Sequence, residues 1–204
     1  MQQYLSAAVD AARAAGALIR SSLGAYQTLG TKSGVHDLVT DVDRASEALI
    51  SRRLLEAFPG HLFFGEEGMT EGPARHERDA DPGQVEHLWV CDPIDGTTNF
   101  VHGIPCCTVA IALARYGEPV VGVVYDPMRD EMFTAVRGGG AHLNGRPIQV
   151  RGDQTLEESL LATGFSTRPD VRDQNTRALV AAAPVCRNIR AMGSAQLHLA
   201  YVAA

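Results

Sequence analysis

The sequence predicts an α/β (α+β) fold, on three observations. Helix-period apolar stripes occur near both ends, around residues 5–23 and 194–204. Short β-rich runs bounded by Gly, Pro, Asn and Asp fill residues 87–148. Hydrophobic content of 45% and charge of 21% over 204 residues are those of a globular chain with a sizeable core.

The elements follow in order. Leu5, Val9, Ala12, Gly16, Ile19 and Leu23 recur at steps of four and three, one face of a first helix. Residues 25–37 are turn-rich. A second helix starts at Thr40, because Thr40 and Asp43 have the spacing of an N-terminal capping box. Leu49, Ile50, Leu54 and Phe58 continue it, and Pro59-Gly60 stops it. Residues 61–64 form a short strand that runs into Gly65-Glu66-Glu67, and residues 68–86 read as an exposed, mobile loop. Residues 87–91 form the next strand, buried on both faces. Residues 108–114 and 120–125 pair across Tyr116-Gly117-Glu118-Pro119, and a further strand covers 131–136. Gly138-Gly139-Gly140 and Asn144-Gly145 are turns. Strands at 159–163 and 187–190 flank a helix at 172–183, and a last helix starts at Ser194.

Composition narrows the function classes. No apolar run reaches 18 residues, so no membrane span is predicted. The alanine-rich start is interrupted by Asp10 and Arg13, unlike a signal peptide. Net charge is −6 and the 18 Lys and Arg are unclustered, which argues against a nucleic-acid surface. Cys91, Cys106, Cys107 and Cys186 form no C-x-x-C, so reduced thiols in a cytoplasmic protein are expected. Cys106 and Cys107 read as packing residues, with no basic partner nearby in sequence.

Three acidic clusters carry the chemistry: Asp37 to Asp43, Glu66-Glu67, and Asp92-Pro93-Ile94-Asp95. Each has a plain reading too: Asp43 as a helix cap, the glutamates as solvated turn residues, Asp95-Gly96 as a turn pair. The third cluster favours metal. Asp92 and Asp95 end an apolar strand, where α/β folds bind ligands. Pro93 fixes its own φ and holds Asp92 extended. Two stiff carboxylates repel unless a cation lies between them, and hard oxygen ligands suit Mg²⁺. The Ile94 carbonyl is a further candidate ligand. Gly96-Thr97-Thr98-Asn99 opens a helix whose free N–H groups can hold phosphate. Metal ligands beside a phosphate cradle point to metal-assisted phosphoryl transfer to water.

The stretch W-V-C-D-P-I-D-G-T-T-N-F-V-H at 89–102 resembles the signature of the inositol monophosphatase family. G-E-E at 65–67, D-L-V-T-D-V-D at 37–43, G-V-V-Y-D-P-M-R-D-E-M-F-T-A at 122–135, L-N-G-R-P-I at 143–148 and M-G-S-A-Q-L at 192–197 support it, across essentially the whole chain. The resemblance implies a layered αβαβα sugar-phosphatase fold and hydrolysis of a small phosphate monoester, myo-inositol monophosphate foremost, with two or three Mg²⁺ ions. It implies Glu66, Asp92, the Ile94 carbonyl and Asp95 as metal ligands. Thr97, helped by Asp43, would orient or activate water, and Glu67 would hold metal-bound water. The substrate would meet Ile94, Asp95, the N–H groups of Gly96 and Thr97, and the Gly193-Ser194-Ala195 helix start; Ser194 as a simple N-cap stays open. His102 reads as a structural or rim position. The expected partner is a small phosphorylated polyol, with no nucleic acid or membrane, and the family suggests a homodimer.

The predicted organisation is an N-terminal α+β domain over 1–150, holding the metal site, and the beginning of a C-terminal α/β domain over 151–204. Leu197, Ala200, Tyr201 and Ala204 are still helix-periodic at the last residue, and no W-D occurs, since Trp89 is the single tryptophan. The resemblance puts a second-metal aspartate in such a W-D. It therefore predicts an incomplete second domain and weak or absent turnover for residues 1–204 alone. Histidinol-phosphate, fructose-1,6-bisphosphate and 3′-phosphoadenosine 5′-phosphate are rival substrates. A non-catalytic binding protein on the same fold is the rival of another class.

Overall fold

A computed structural model describes residues 1–31, 38–68, 81–152, 154–166 and 168–204. Asp37 of the first acidic cluster, and most of the 68–86 loop, lie outside these residues. The order is α1 (Gln2–Ser22), β1 (Thr28–Thr31), β2 (Leu38–Thr40), α2 (Asp41–Ala57), β3 (Leu62–Gly65), β4 (Leu88–Asp95), α3 (Thr97–Val101), β5 (Thr108–Arg115), β6 (Glu118–Asp126), β7 (Glu131–Val136), β8 (Gly140–Leu143), β9 (Arg146–Ile148), β10 (Leu160–Ala162), α4 (Pro169–Ala182), β11 (Asn188–Arg190) and α5 (Ala195–Ala203). A central sheet runs β3-β4-β5-β6-β7-β8-β9, and helices flank it. Only the β3–β4 pair is parallel; the rest of that sheet is antiparallel. Among the described residues no helix is long and apolar enough to cross a membrane.

The sheet's side chains alternate between two faces, as the pleat requires. Trp89, Cys91, Val109, Ile111, Leu113, Val121, Val123 and Tyr125 pack with α1 and α2 in one core. Val124 and Phe133 point the other way, where Leu197 and Ala200 of α5 meet them. The expectation that residues 88–91 are buried on both faces is therefore corrected. Val90 is 39% exposed and Phe64 beside it 44%, because α5 covers only part of the outer face.

The stripe of α1 is also shifted from the predicted one. Ala8, Ala11, Ala12, Ala15, Gly16 and Ile19 are buried, while Leu5 and Val9 sit at the edge and Leu23 ends the helix exposed. Small side chains let the helix lie close to the sheet, which periodicity of large apolar residues does not register. In α2 the box at Thr40 and Asp43 is present, but the buried face mixes Ile50 and Leu54 with Ser46, Glu47 and Ser51. Leu49 is only half-buried.

The strand through Trp89 does not stop at Cys91. It continues to Asp95, and the register slips between Asp92, opposite Ala110, and Asp95, opposite Thr108. Three residues on β4 therefore face two steps on β5, a bulge in which Pro93 needs no ladder N–H. In the distal part, β10, α4 and β11 form a parallel β-α-β unit.

Candidate active site

The bulge decides where the carboxylates point. Residues three apart in a regular strand fall on opposite faces. Because the partners of Asp92 and Asp95 are only two apart on β5, the two acids return to the same phase. Both line one cavity of about 400 Å³ together with Glu66, Ile94, Gly96, Thr97, Thr98 and Asn99. The opposite segments, Thr163, Gly164 and Phe165 with Ala191 and Gly193, complete it, and Leu38 closes an edge. Among the described lining residues there are three carboxylates and no Lys, Arg or His. Carboxylate oxygens are the donor type that suits a hard divalent cation, but among the described residues no three such side chains are gathered closely enough to hold one by themselves.

Each acid is positioned by different chemistry. Glu66 follows β3, and its N–H still bonds the Cys91 carbonyl at 3.2 Å, so the β3–β4 ladder carries it to the cavity rim. Gly65 before it lies against Glu47 of α2. A Cβ there would sit 2.2 Å from the Glu47 carboxyl carbon, so no larger residue fits without displacement. Glu47 is fully buried and accepts the Glu67 N–H at 2.6 Å. Glu67 is half-buried, outside the cavity lining, and tied to α2 by this bond. Sequence reasoning passed over Glu47. The available signal was its i,i+4 spacing from Asp43, which puts two acids on one helix face.

Asp95 is heavily engaged. Its carboxylate accepts the Ser194 hydroxyl at 2.6 Å, the Ala195 N–H at 3.1 Å and the Gln196 N–H at 2.6 Å. It thereby caps α5 across the sheet, which satisfies donors that no intrahelical carbonyl can reach. A carboxylate has about four lone-pair sites, so these bonds leave room for a further ligand on Oδ1. Ser194 is fully buried, accepts the Leu197 N–H at 3.2 Å and is the N-cap of α5. Its hydroxyl faces Asp95, and Gly193 rather than Ser194 lines the cavity.

Thr97 and Asp43 meet although 54 residues separate them: Thr97 Oγ1 donates to Asp43 Oδ1 at 3.0 Å, with the Ile94 carbonyl also at 3.0 Å. Asp43 Oδ2 takes the Thr40 N–H at 2.8 Å and the Thr40 hydroxyl at 2.5 Å. The cap and the Thr97 contact thus use different oxygens, and both roles predicted for Asp43 coexist geometrically. Asp43 itself is 1% exposed, so it reaches the cavity only through Thr97.

At the start of α3, Gly96 has φ of 100°, the left-handed region that disfavours side chains. A Cβ there would lie 2.8 Å from the Cys106 carbonyl. The first helical bond runs from Phe100 N–H to the Gly96 carbonyl at 3.0 Å, so the N–H groups of Thr97, Thr98 and Asn99 precede the ladder. His102, exposed after α3, is not a lining residue.

The thiols are packing groups. Burial pushes Cys107 up to about 12, helped by nearby Asp126, and burial raises Cys91 well above the ordinary thiol range. Cys106 does have a basic neighbour that sequence proximity could not show, Arg129 Nη2 at 3.6 Å. A second, larger depression of about 590 Å³ lies on the outer sheet face, walled by Phe64, Val90, Ala112, Val124 and Phe133. Glu66 and Asp92 line this depression as well as the smaller cavity, but Asp95, Gly96 and Thr97 line only the smaller one, and the larger one is otherwise mostly apolar.

Known proteins match this chain from end to end. The inositol monophosphatase family profile matches residues 1–204. Inositol monophosphatase 2 of Solanum lycopersicum is 40% identical over 205 residues, covering all of this chain and 75% of that protein. The Nus factor SuhB of Pseudomonas aeruginosa is 43% identical over 209 residues, covering all of this chain and 74% of that one. Among solved structures, the Thermotoga maritima IMPase superposes with a TM-score of 0.85 at 33% identity, over 99% of this chain and 72% of that one. The relatives are longer than this chain, which covers 72–75% of their length. The chain belongs to the inositol monophosphatase family, a family of phosphoric monoester hydrolases.

Proposed function

We propose that this cavity is the site of Mg²⁺-dependent hydrolysis of a small polyol phosphate, myo-inositol monophosphate foremost. The observation that carries the reading is that Glu66, Asp92 and Asp95 line one cavity, with the Thr97–Asp43 pair behind them, and that its described lining has no cationic side chain. In this reading Glu66, Asp92, the Ile94 carbonyl and Asp95 hold the ions. Bound Mg²⁺ would offset the charge on the phosphate oxygens and on the attacking and leaving groups. The N–H groups of Gly96 and Thr97 hold the phosphate. The Thr97 hydroxyl orients the water, and Asp43 receives the proton that Thr97 relays. Glu67 supports Glu66 from its anchored position on Glu47.

The relatives named inositol monophosphatase support inositol monophosphate as the first substrate. The test is phosphate release from a panel holding that ester, histidinol-phosphate, fructose-1,6-bisphosphate and 3′-phosphoadenosine 5′-phosphate, with Mg²⁺ titrated. Calorimetric binding of Mg²⁺ and of inorganic phosphate is measured alongside. The expected result is Mg²⁺-dependent phosphate binding and the highest kcat/KM on the inositol ester. Phosphate binding that ignores Mg²⁺ would overturn the reading.

A further inference from the structure

We infer that Asn99 and His198 are positioning residues that clamp the Met192 backbone, and so fix the cavity wall that selects the polyol. Two bonds support this, one to each of the peptide units that flank the Met192 α-carbon. Asn99 Nδ2 donates to the Met192 carbonyl at 2.6 Å and to the Cys106 carbonyl at 2.7 Å. His198 Nε2 accepts the Met192 N–H at 2.9 Å. Both side chains are 8% exposed, so water does not compete freely for these partners.

The two bonds settle the chemistry of each clamp. Asn99 faces two carbonyls, so its NH₂ must occupy that side. His198 presents Nε2 to the Met192 N–H as an acceptor, so that nitrogen carries no proton in this contact. Gly193 then packs on the Asn99 amide, whose nitrogen would lie 2.6 Å from a Cβ at that position. The next residue, Ser194, is in turn held by Asp95 at 2.6 Å and by Thr108 Oγ1 at 3.3 Å. The segment 192–196 is thus gripped at three successive points, and only Ala191 and Gly193 are left to face the cavity.

The consequence concerns selectivity. With phosphate at Gly96 and Thr97, the rest of the substrate must lie against the remaining wall, which beside Thr98 and Asn99 is made mostly of small or apolar residues: Leu38, Thr163, Gly164, Phe165, Ala191 and Gly193. Such a wall selects by shape, so its backbone placement matters more than any one side chain. Asn99 holds both this wall and the 106 carbonyl behind Gly96, which couples polyol fit to the phosphate cradle. The inference rests on the polyol-phosphate reading of the cavity.

The test uses Asn99→Ala, His198→Ala and His198→Gln, the last restoring an acceptor at similar reach. Hydrogen exchange by mass spectrometry is read over peptides spanning 189–196 and 108–115. Calorimetry with Mg²⁺ compares inorganic phosphate with myo-inositol 1-phosphate. Both alanine variants are expected to exchange faster in 189–196 alone. They should lower the preference for the inositol ester over phosphate about tenfold, as for one lost buried hydrogen bond. His198→Gln should recover both. Unchanged exchange, or equal losses in both peptides and for both ligands, would overturn the clamp. A parent protein that binds neither ligand would overturn the polyol-phosphate reading and the selectivity that depends on it, while the exchange pattern still decides the clamp.

Discussion

Asp43 and Asp95 each hold the N-terminal end of a helix beside the same cavity, but over very different distances along the chain. Asp43 closes a box with Thr40, three residues away. Asp95 reaches Ser194, Ala195 and Gln196, 99 to 101 residues away. Both use the same physics, since an anion at a helix N-terminus meets free N–H groups and the positive end of the dipole. They divide their oxygens differently. Asp43 caps with one oxygen and meets Thr97 with the other. Asp95 spends both on α5, so the placement of that helix and the placement of the carboxylate are one event. The local cap leaves one Asp43 oxygen for Thr97, and the long-range cap engages both oxygens of Asp95.

The largest expected effect breaks the long-range cap. Asp95→Asn should abolish turnover and Mg²⁺-dependent phosphate binding, because it removes a ligand charge and puts an NH₂ where acceptors are needed. It should also cost about 1–2 kcal/mol of stability through α5, as for a lost N-cap. Calorimetry and urea unfolding check the two parts separately; retained Mg²⁺ affinity would remove Asp95 from the ligand set. Asp43→Asn should do less to binding and more to the rate, lowering kcat by about 10²–10⁴ with KM little changed. Thr97→Val should match it, while Thr97→Ser keeps most activity. An Asp43→Asn enzyme whose KM rises with kcat unchanged would show that the pair positions substrate and does not handle the proton.

The same contrast explains what was legible in the sequence. Thr40 and Asp43 announce their box by spacing, and the D-P-I-D-G-T-T motif announces ligands by stiffness and charge density. The strand order around β5 and β6 follows from turn residues and alternation. What could not be read is whatever depends on contact between distant segments. Asp95 as the cap of α5, Asn99 as a bridge to Met192, and Glu47 as the acceptor of the Glu67 N–H are invisible to periodicity, because their partners lie 20 to 101 residues away. The outer face of β4 was misjudged for the same reason: a run of apolar residues says that a strand is in a sheet, not how much of each face another element covers.

Gly65 and Glu47 offer a sharper test of long-range fixing by packing. A methyl at residue 65 would overlap the Glu47 carboxylate, so Gly65→Ala should destabilise by about 1–3 kcal/mol, the range for overpacking. Glu47→Ala removes the obstacle along with the acceptor of the Glu67 N–H. The double variant should therefore lose less than the sum of the two singles, with coupling of at least about 0.5 kcal/mol. Strict additivity in urea unfolding would show that residue 65 can move away from α2, and that Glu66 is placed by β3 alone.

The smallest expected effect lies away from the cavity, in the stack of His61 on His87, whose ring centroids are 4.3 Å apart and nearly coplanar in orientation at 5°. Burial first, and the neighbouring His87 second, lower His61 to about 4, against the opposing pull of Glu86. The unfolded chain therefore binds more protons than the folded one between about pH 4 and the ordinary histidine value near 6.5. Stability from His61 is fully present above about pH 6.5 and is lost as the pH falls towards 4. The full shift corresponds to about 3 kcal/mol, and solvent at the open side of this half-buried ring screens that to nearer about 1 kcal/mol. His61→Phe keeps the stack with Phe58 and removes the titration, so its unfolding free energy should be flatter between pH 6.5 and 4. If His61→Phe keeps the parent's slope, the acid loss originates elsewhere, and the two aspartate caps become the next groups to test.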